Sequence, residues 1–152
     1  MTVKKWCLVV IAVLLAGCGA KVPPPLPPTQ VVLDIQTFGD INPNSEGRPS
    51  PLVLRFYELK SLSSFKSADF ISLYEKDKGL LGGDLIQKHE FVMQPNDKKT
   101  VRLVLQDDTV AIGGFAVFRN YQQARWRTSA NVRPHQSSVL EVTAKGNVLE
   151  MK

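Results

Sequence analysis

The thiol of Cys18 is the group with the clearest chemical setting in this sequence. It directly follows the segment Leu15–Gly17, which ends in small residues. Two lysines near the start precede an apolar run, Trp6–Leu15, which is too short to cross a bilayer as a helix because that takes about 20 residues. A basic start, a short apolar centre and small residues are typical of a secretory signal. The pattern therefore predicts a signal peptide over residues 1–17, with Cys18 at its cleavage point.

Residues Leu15–Cys18 resemble the lipobox that the lipoprotein signal peptidase recognises. The resemblance implies cleavage between Gly17 and Cys18, diacylation of the thiol and acylation of the new amino terminus. One acyl chain binds a membrane only marginally, whereas two or more form a stable anchor. In lipoprotein sorting an aspartate after the cysteine favours the inner membrane, so Gly19 indicates the outer membrane. An ordinary secretory signal and a short uncleaved anchor are the alternatives.

One motif invites a catalytic interpretation. Ser63–Lys66 matches S-x-x-K, the nucleophile motif of penicillin-binding enzymes. That chemistry also requires partner motifs such as K-T-G, but Lys99-Thr100 is followed by Val101. Asp107-Asp108 is better explained by a turn, and Gly113-Gly114 by a bulge or by close packing within a strand. The sequence predicts that the protein is not an enzyme.

Metal, cofactor and nucleic-acid sites find no support in the sequence. The histidines, His89 and His135, have no cysteine or histidine at ligand spacing, and a zinc site draws three or four ligands from such residues. The formal net charge of +5 is spread along the chain without a basic run, which argues against nucleic-acid binding. Cys7 leaves with the signal peptide and Cys18 is consumed by lipid, so stability must come from the core.

Residues 18–30 are predicted to form an acylated and proline-rich tether. Prolines at 23, 24, 25, 27 and 28 fix φ and remove backbone donors. The segment should adopt polyproline II and hold the following domain ~30 Å from the membrane at ~3.1 Å per residue. A proline-rich recognition ligand is the alternative. Residues 31–152 suit one domain, since domains usually take ~100–200 residues.

The body of the chain reads as β-strands. Val31, Leu33 and Ile35 alternate with Asp34 and Gln36, which is the period of a half-buried strand. The other alternating runs are Leu52–Glu58, Ile86–Met93, Thr100–Leu105, Val110–Arg119, Trp126–Val132, Ser138–Thr143 and Val148–Met151. Several short strands separated by turn residues predict a sandwich or barrel.

One segment has helical rather than strand periodicity. Apolar residues at 70, 73 and 74 form a stripe within Ser67–Lys76. Ser67 is a candidate N-cap, and Asp69 in the first turn complements the helix dipole. The sequence therefore predicts an all-β sandwich with a short helical insertion between strands two and three.

The order of these features resembles the TssJ family of outer-membrane lipoproteins of the type VI secretion system. Ser50–Leu59 resembles the family's "sPvvvRvYqL" strand, Phe65–Tyr74 its "F…adF..Ly" helix, and Ala116–Asn120 followed by Trp126-Arg127 its "vaaFRd…WR" hairpin. The resemblance covers nearly all of the chain beyond the signal peptide. One departure is Pro95-Asn96, where the family commonly has Pro-Gly; asparagine tolerates the same turn.

The resemblance implies a two-sheet, transthyretin-like β-sandwich that faces the periplasm. It also implies binding to the periplasmic C-terminal region of the inner-membrane protein TssM, and allows several copies in the envelope complex. The family binds that partner partly through the loop between its first two strands. Here the loop residues are Asp40, Ile41, Asn42, Pro43, Asn44, Ser45, Glu46, Gly47 and Arg48. The loop exceeds the usual two to five residues and is expected to project rather than pack.

Two other functions stay open at this point. One is a lipoprotein that binds a small ligand or a cell-wall component, which requires an apolar pocket with convergent polar groups, near Trp126 or Tyr121. The other is an assembly factor for a different secretion system.

Overall fold

The computed structural model describes residues 22–152, so the predicted signal peptide, Gly17 and Cys18 lie outside the described residues. The strands are β1 (Gln30–Thr37), β2 (Leu52–Leu59), β3 (Leu85–Met93), β4 (Lys98–Val104), β5 (Ala111–Ala116), β6 (Arg127–Asn131), β7 (Ser137–Lys145) and β8 (Val148–Met151). Between β2 and β3 lie α1 (Ser63–Ser67), α2 (Phe70–Leu81) and a 3₁₀ turn, Gly82–Asp84. None of the helices in the described part is long and apolar enough to span a membrane.

The strands form two four-stranded sheets that pack as a sandwich. Sheet A has the order β4-β1-β7-β8 and sheet B the order β3-β2-β5-β6. All pairs are antiparallel except β1 and β7, which run parallel with Leu33 opposite Leu140. A short parallel bridge between Arg125 and Val148 joins the sheets along one side. The predicted all-β sandwich with a helical insertion is therefore confirmed, as is each of the eight alternating runs as a strand.

Strand β2 is buried on both faces, which explains its apolar composition. Leu54 and Phe56 point into the core between the sheets. Tyr57 and Leu59 point the other way, into a second core beneath the helices. Alternation alone would leave that second face exposed, so the helical insertion acts as a third layer over sheet B.

Strand β5 lies directly beneath α1, and Gly113 permits this, while Gly114 permits close packing on the opposite face of the strand. A Cβ on Gly113 would lie 2.9 Å from the ring of Phe65, and one on Gly114 would lie 2.9 Å from Thr128. The close packing predicted for this pair is confirmed. The strand also ends at Ala116, earlier than the sequence pattern indicated, because the N–H of Phe118 bonds back to the Ala116 carbonyl (3.0 Å).

The helical insertion differs in detail from its prediction. It consists of two helices, and the N-cap of α2 is Asp69, whose carboxylate accepts a hydrogen bond from the N–H of Ser72 (2.9 Å). Ser67 is not the N-cap as predicted; its hydroxyl bonds to the Ser63 carbonyl at the end of α1 (3.0 Å). Both residues are good capping types, and tertiary packing of Phe70 decides which one starts the helix.

The loops divide the sandwich into two ends. We call the end where β1 starts the proximal end; it contains Thr29 and the loops 105–110 and 132–136. We call the opposite end the distal end; it contains the loops 38–51, 94–97, 117–126 and 146–147. Residues 22–28 are exposed and form neither helix nor strand. The chain therefore enters the domain at one end and presents the long β1–β2 loop at the other.

Candidate partner-binding site at the distal end

The base of the β1–β2 loop is part of the core. Ile41 is 0% exposed and packs in the cluster between the sheets. Its N–H bonds to Phe38 (3.3 Å), and its carbonyl accepts from the N–H of Ser50 (3.1 Å). The expectation that the loop projects rather than packs is therefore wrong for this part, since an isoleucine in a polar stretch still gains from burial.

Asn42 ties this base to the neighbouring loops. Its side chain donates to the carbonyl of Pro51 (2.8 Å) and accepts from the N–H of Arg119 (2.9 Å). Its own N–H bonds to the carbonyl of Gly146 (2.8 Å). Asn42 adopts φ +46°, a conformation that asparagine tolerates better than most residues. Through its side chain and its backbone, Asn42 thus holds three distal segments in a fixed relation.

The tip of the loop does project. The side chain of Asn44 accepts hydrogen bonds from the N–H groups of Glu46 (3.0 Å) and Arg48 (2.9 Å). Glu46 and Arg48 also pair with each other, and Gly47 supplies the positive φ of +76° that the turn requires. The tip is exposed but has a defined shape, which lowers the ordering cost of binding a partner.

Two open depressions flank the β7–β8 turn. The first, about 500 Å³, lies beside the loop tip and is lined by Pro43, Asn44, Ser45, Arg119, Asn120 and Asn147. The second, about 420 Å³, is lined by Phe38, Arg125, Thr143, Lys145, Val148 and Glu150. The ammonium of Lys145 lies 5.6 Å from the centre of the Phe38 ring. The sequence had pointed to the β1–β2 loop, with the face around Arg125 and Arg127 as a second choice; the other lining residues come from separate loops and from β7 and β8.

An ion-pair network fixes the helical layer on which sheet B rests. Arg55 binds Glu90 (2.7 Å) and donates to the carbonyl of Tyr74 (2.9 Å). Asp77 accepts from Lys88 (2.9 Å) and from the hydroxyl of Tyr57 (3.2 Å). Arg55 and Tyr57 belong to the strand motif that carried the family resemblance, so that motif is structural here.

Burial and hydrogen bonding perturb two groups of this network. Burial raises the pKa of Tyr57, and the neighbouring charge of Asp77 adds to the effect. Burial would also raise the pKa of Asp77, but hydrogen bonds from Lys88 and the Lys78 N–H outweigh it and lower the pKa below its usual value. Asp77 is therefore a buried anion at neutral pH.

The residues considered for catalysis or metal binding have structural surroundings. Ser63 and Lys66 are both exposed on α1. His89 bonds through Nε2 to the carboxylate of Glu58 (2.8 Å), which is 1% exposed. The backbone N–H of His135 donates to the Thr29 hydroxyl (2.8 Å). Within residues 22–152 no group of three or more histidine, cysteine, aspartate or glutamate side chains is placed to hold a metal ion.

Trp126 and Tyr121, the residues near which a ligand pocket was considered, belong to an aromatic cluster. The Tyr121 ring stacks on Phe70 at 4.2 Å, and Trp126 meets Phe70 and Phe115 edge-on at 5.4 and 5.6 Å. Arg127 lies over the Trp126 ring. The rings pack against one another, so we interpret this cluster as part of the hydrophobic packing.

Comparison with known proteins identifies the family. The chain matches the family T6SS-SciN, described as "Type VI secretion lipoprotein, VasD, EvfM, TssJ", over residues 29–147. This range is most of the chain, and the chain therefore belongs to this family of type VI secretion lipoproteins. The description of the family names a lipoprotein of type VI secretion, and membership removes the alternative of a different secretion system. No curated protein matched the chain by sequence.

Solved structures agree with this assignment. The T6SS lipoprotein TssJ1 from Pseudomonas aeruginosa superposes with a TM-score of 0.80 at 32% identity, covering 83% of this chain and 96% of that one. Serratia marcescens Lip, described as a membrane-bound component of the type VI secretion system, gives a TM-score of 0.76 at 23% identity, covering 82% and 98%. A structure named for the TssM C-terminal domain (869–1107) from EAEC contains a chain that matches at 28% identity with a TM-score of 0.65, again covering 82% and 98%.

Proposed function

We propose that this protein is the outer-membrane lipoprotein of a type VI trans-envelope complex. Cys18 carries the lipid, the domain faces the periplasm, and the tip of the β1–β2 loop binds the periplasmic C-terminal region of TssM. The observation that carries the proposal is the position of the loop: its exposed, hydrogen-bonded tip lies at the end of the sandwich opposite the entry of the chain. A protein anchored at one end can present such a loop across the periplasm.

The matched structure named for TssM supports this choice of partner. The match covers 82% of this 152-residue chain and 98% of the matching chain. The matching chain is therefore about as long as the domain of this protein. The TssM domain of the name spans residues 869–1107, which is nearly twice as long. We infer that the matching chain is a TssJ-like protein, and that the solved structure contains this protein together with the TssM domain.

The test is titration calorimetry of the domain, residues 29–152, against the periplasmic fragment of its own TssM. Glu46 and Arg48 are exchanged together for alanine because they are exposed, pair with each other and contribute nothing to the core. We expect the dissociation constant to rise by about tenfold or more, as for central interface residues, with an unchanged melting temperature. The matched control is Asp107→Ala, an exposed turn residue at the proximal end. Unchanged affinity of a folded double variant would place the interface elsewhere.

A further inference from the structure

Several of the large apolar side chains that the structure leaves exposed lie at the proximal end; others lie on α2 or, like Val92, toward the distal end. Val104 is 61% exposed, Val139 57% and Val110 50%, and all three lie where their strands meet the proximal loops. Leu26, on the segment that enters the domain there, is 69% exposed. Single exposed apolar residues are normal on a protein surface, whereas several neighbouring ones can mark a contact site.

Two of these valines, Val104 and Val139, form one patch on the outer face of sheet A together with the half-buried Val32. Val32 lies directly opposite Val139 in the parallel β1–β7 pair. On the other side of β1, Val104 lies opposite Gln30, two positions closer to the proximal end. Because side chains alternate along a strand, all three point away from the core that the sheets share.

The chain that leads to the membrane anchor leaves the domain beside this patch. Thr29 is buried, and its carbonyl accepts a hydrogen bond from the N–H of Leu105 (2.9 Å). The backbone N–H of His135 donates to the hydroxyl of Thr29, and the Nδ1 atom of His135 lies at hydrogen-bond distance from the carbonyl of Pro27 (3.1 Å). The chain is thus fixed to the domain as far as Pro27. The residues between Cys18 and this point, at ~3.1 Å each, reach only ~25 Å. The tether therefore sets an upper limit on the distance between the proximal end and the bilayer that holds the anchor; it does not force the spacing of ~30 Å that the sequence alone suggested, and direct contact is within reach.

The charges near the patch are compatible with a lipid headgroup layer. Arg102 lies opposite Val32, and Arg133 is exposed in the loop 132–136; basic residues near a membrane are attracted by anionic lipids. Glu141 and Asp34 are opposite each other one row further from the proximal end. The acidic part of this end is the β4–β5 turn, where Lys60 neutralises Asp108 (2.6 Å).

We propose that the valine patch, formed by Val32, Val104 and Val139 together with Leu26, rests on the lipid headgroup layer of the membrane that holds the anchor. The inference depends on the proposed acylation of Cys18. Apolar side chains at an interface typically enter the lipid by about 5–10 Å. The contact gives the domain a fixed orientation, with the proximal part of the outer face of sheet A turned toward the membrane.

The test uses the full-length lipidated protein in vesicles of phosphatidylethanolamine and phosphatidylglycerol. The sequence contains cysteine only at positions 7 and 18, so an introduced cysteine is the single free thiol of the processed chain. An environment-sensitive fluorophore is attached at Val104→Cys. The matched control is Val92→Cys, because Val92 is 62% exposed, lies on the outer face of an edge strand and sits toward the distal end.

We expect the label at position 104 to shift its emission to the blue and to be quenched by a nitroxide lipid about twofold or more strongly than the label at position 92. Adding Val139→Asp to the Val104→Cys protein should reduce that quenching to the level of the control. Equal quenching at both positions would overturn the proposal, since the domain would then move freely on its tether. A blue shift without lipid quenching would also overturn it, because a protein surface would then cover the patch.

A separate measurement shows whether the lipid anchor itself is absent. Mass spectrometry of the purified protein reports whether Cys18 carries acyl groups, before any fluorescence is measured. Cys18→Ser protein added to the same vesicles provides the second measurement: it should bind weakly, and Val104→Asp with Val139→Asp should abolish that binding. Val92→Asp in the same background should leave it unchanged.

Discussion

At the scale of single residues, Asp77 decides how the helical layer is held on sheet B. It lies after Lys76, whose φ of −133° interrupts the regular geometry of α2, and its side chain turns inward. There it accepts hydrogen bonds from Tyr57 and Lys88. A buried anion with several donors contributes to stability only while it stays ionised.

Replacing Asp77 with asparagine should therefore destabilise the protein in a pH-dependent way. At pH 7 we expect a loss of about 1–3 kcal/mol, the usual cost of leaving buried polar partners unsatisfied. The pKa of Asp77 is lower in the folded state than its unfolded value of about 3.9. Its contribution is thus present above that value and is lost as the pH falls through the folded-state pKa.

Urea unfolding of the wild type and Asp77→Asn at pH 7 and in steps below pH 4 measures this difference. The gap between the two proteins should narrow as the pH falls. Asp107→Asn, at an exposed turn, is the control. A gap that stays constant across the range would mean that the loss comes from packing rather than from the charge.

At the scale of elements, the β1–β2 loop has two parts with different tasks. Its base packs Ile41 into the core and uses Asn42 to connect three distal segments. Its tip, residues 44–49, is held by local hydrogen bonds and stays exposed. Shortening the whole loop would mix a folding defect with a binding defect, so the two parts must be changed separately.

Ile41→Ala should lower the free energy of unfolding by about 2–5 kcal/mol, because it leaves a cavity in the core. Leu54→Ala on β2, buried in the same cluster, should cost a similar amount. Pro49→Ala in the exposed tip should change stability by less than about 0.5 kcal/mol. Denaturant titration of the three variants checks this. An Ile41 variant as stable as the wild type would contradict the assignment of the loop base to the core.

At the scale of the whole molecule, the two ends of the sandwich are occupied by different structures. The chain enters at the proximal end, where Thr29 and His135 fix it. The loop tip and the depression beside it lie at the distal end. Because of this separation, the proposed membrane contact and the proposed partner site use different residues and would not compete.

Cys18→Ser should abolish fractionation with the outer membrane in cells while leaving the domain folded. No disulfide is lost, since the sequence has no cysteine beyond position 18, and the core is untouched. Membrane fractionation combined with a melting curve of the released protein tests both parts. Full recovery of the variant in the outer-membrane fraction would refute the lipid anchor, and an unfolded variant would refute an independently stable domain.

Local sequence patterns determined most of the secondary structure and the fold class of this protein. Period-two alternation, as in Val31–Ile35, identified all eight strands because each strand buries one face against the other sheet. Turn chemistry was equally local: Asn96 adopts the positive φ, +59°, that its position after Pro95 indicated. The lipid site came from a short motif and the partner loop from the family resemblance and the length of the loop, and both stay predictions until tested.

Only the tertiary structure decided which of several locally plausible options is realised. Ser67 and Asp69 are both competent caps, and the packing of Phe70 against Tyr121 and Phe115 selects Asp69. The parallel pairing of β1 with β7 joins segments about a hundred residues apart, which no local pattern encodes.

The same reason explains what sequence reasoning missed at the distal end. Ile41 lies within a polar stretch of the sequence, yet its side chain is in the core because the loop folds back across the end of the sandwich. Arg119 and Asn147 come to the loop tip from separate connections. The free energy of burying one side chain, or of satisfying one buried amide such as Asn42, depends on which distant segments surround it, and only the folded chain specifies those neighbours.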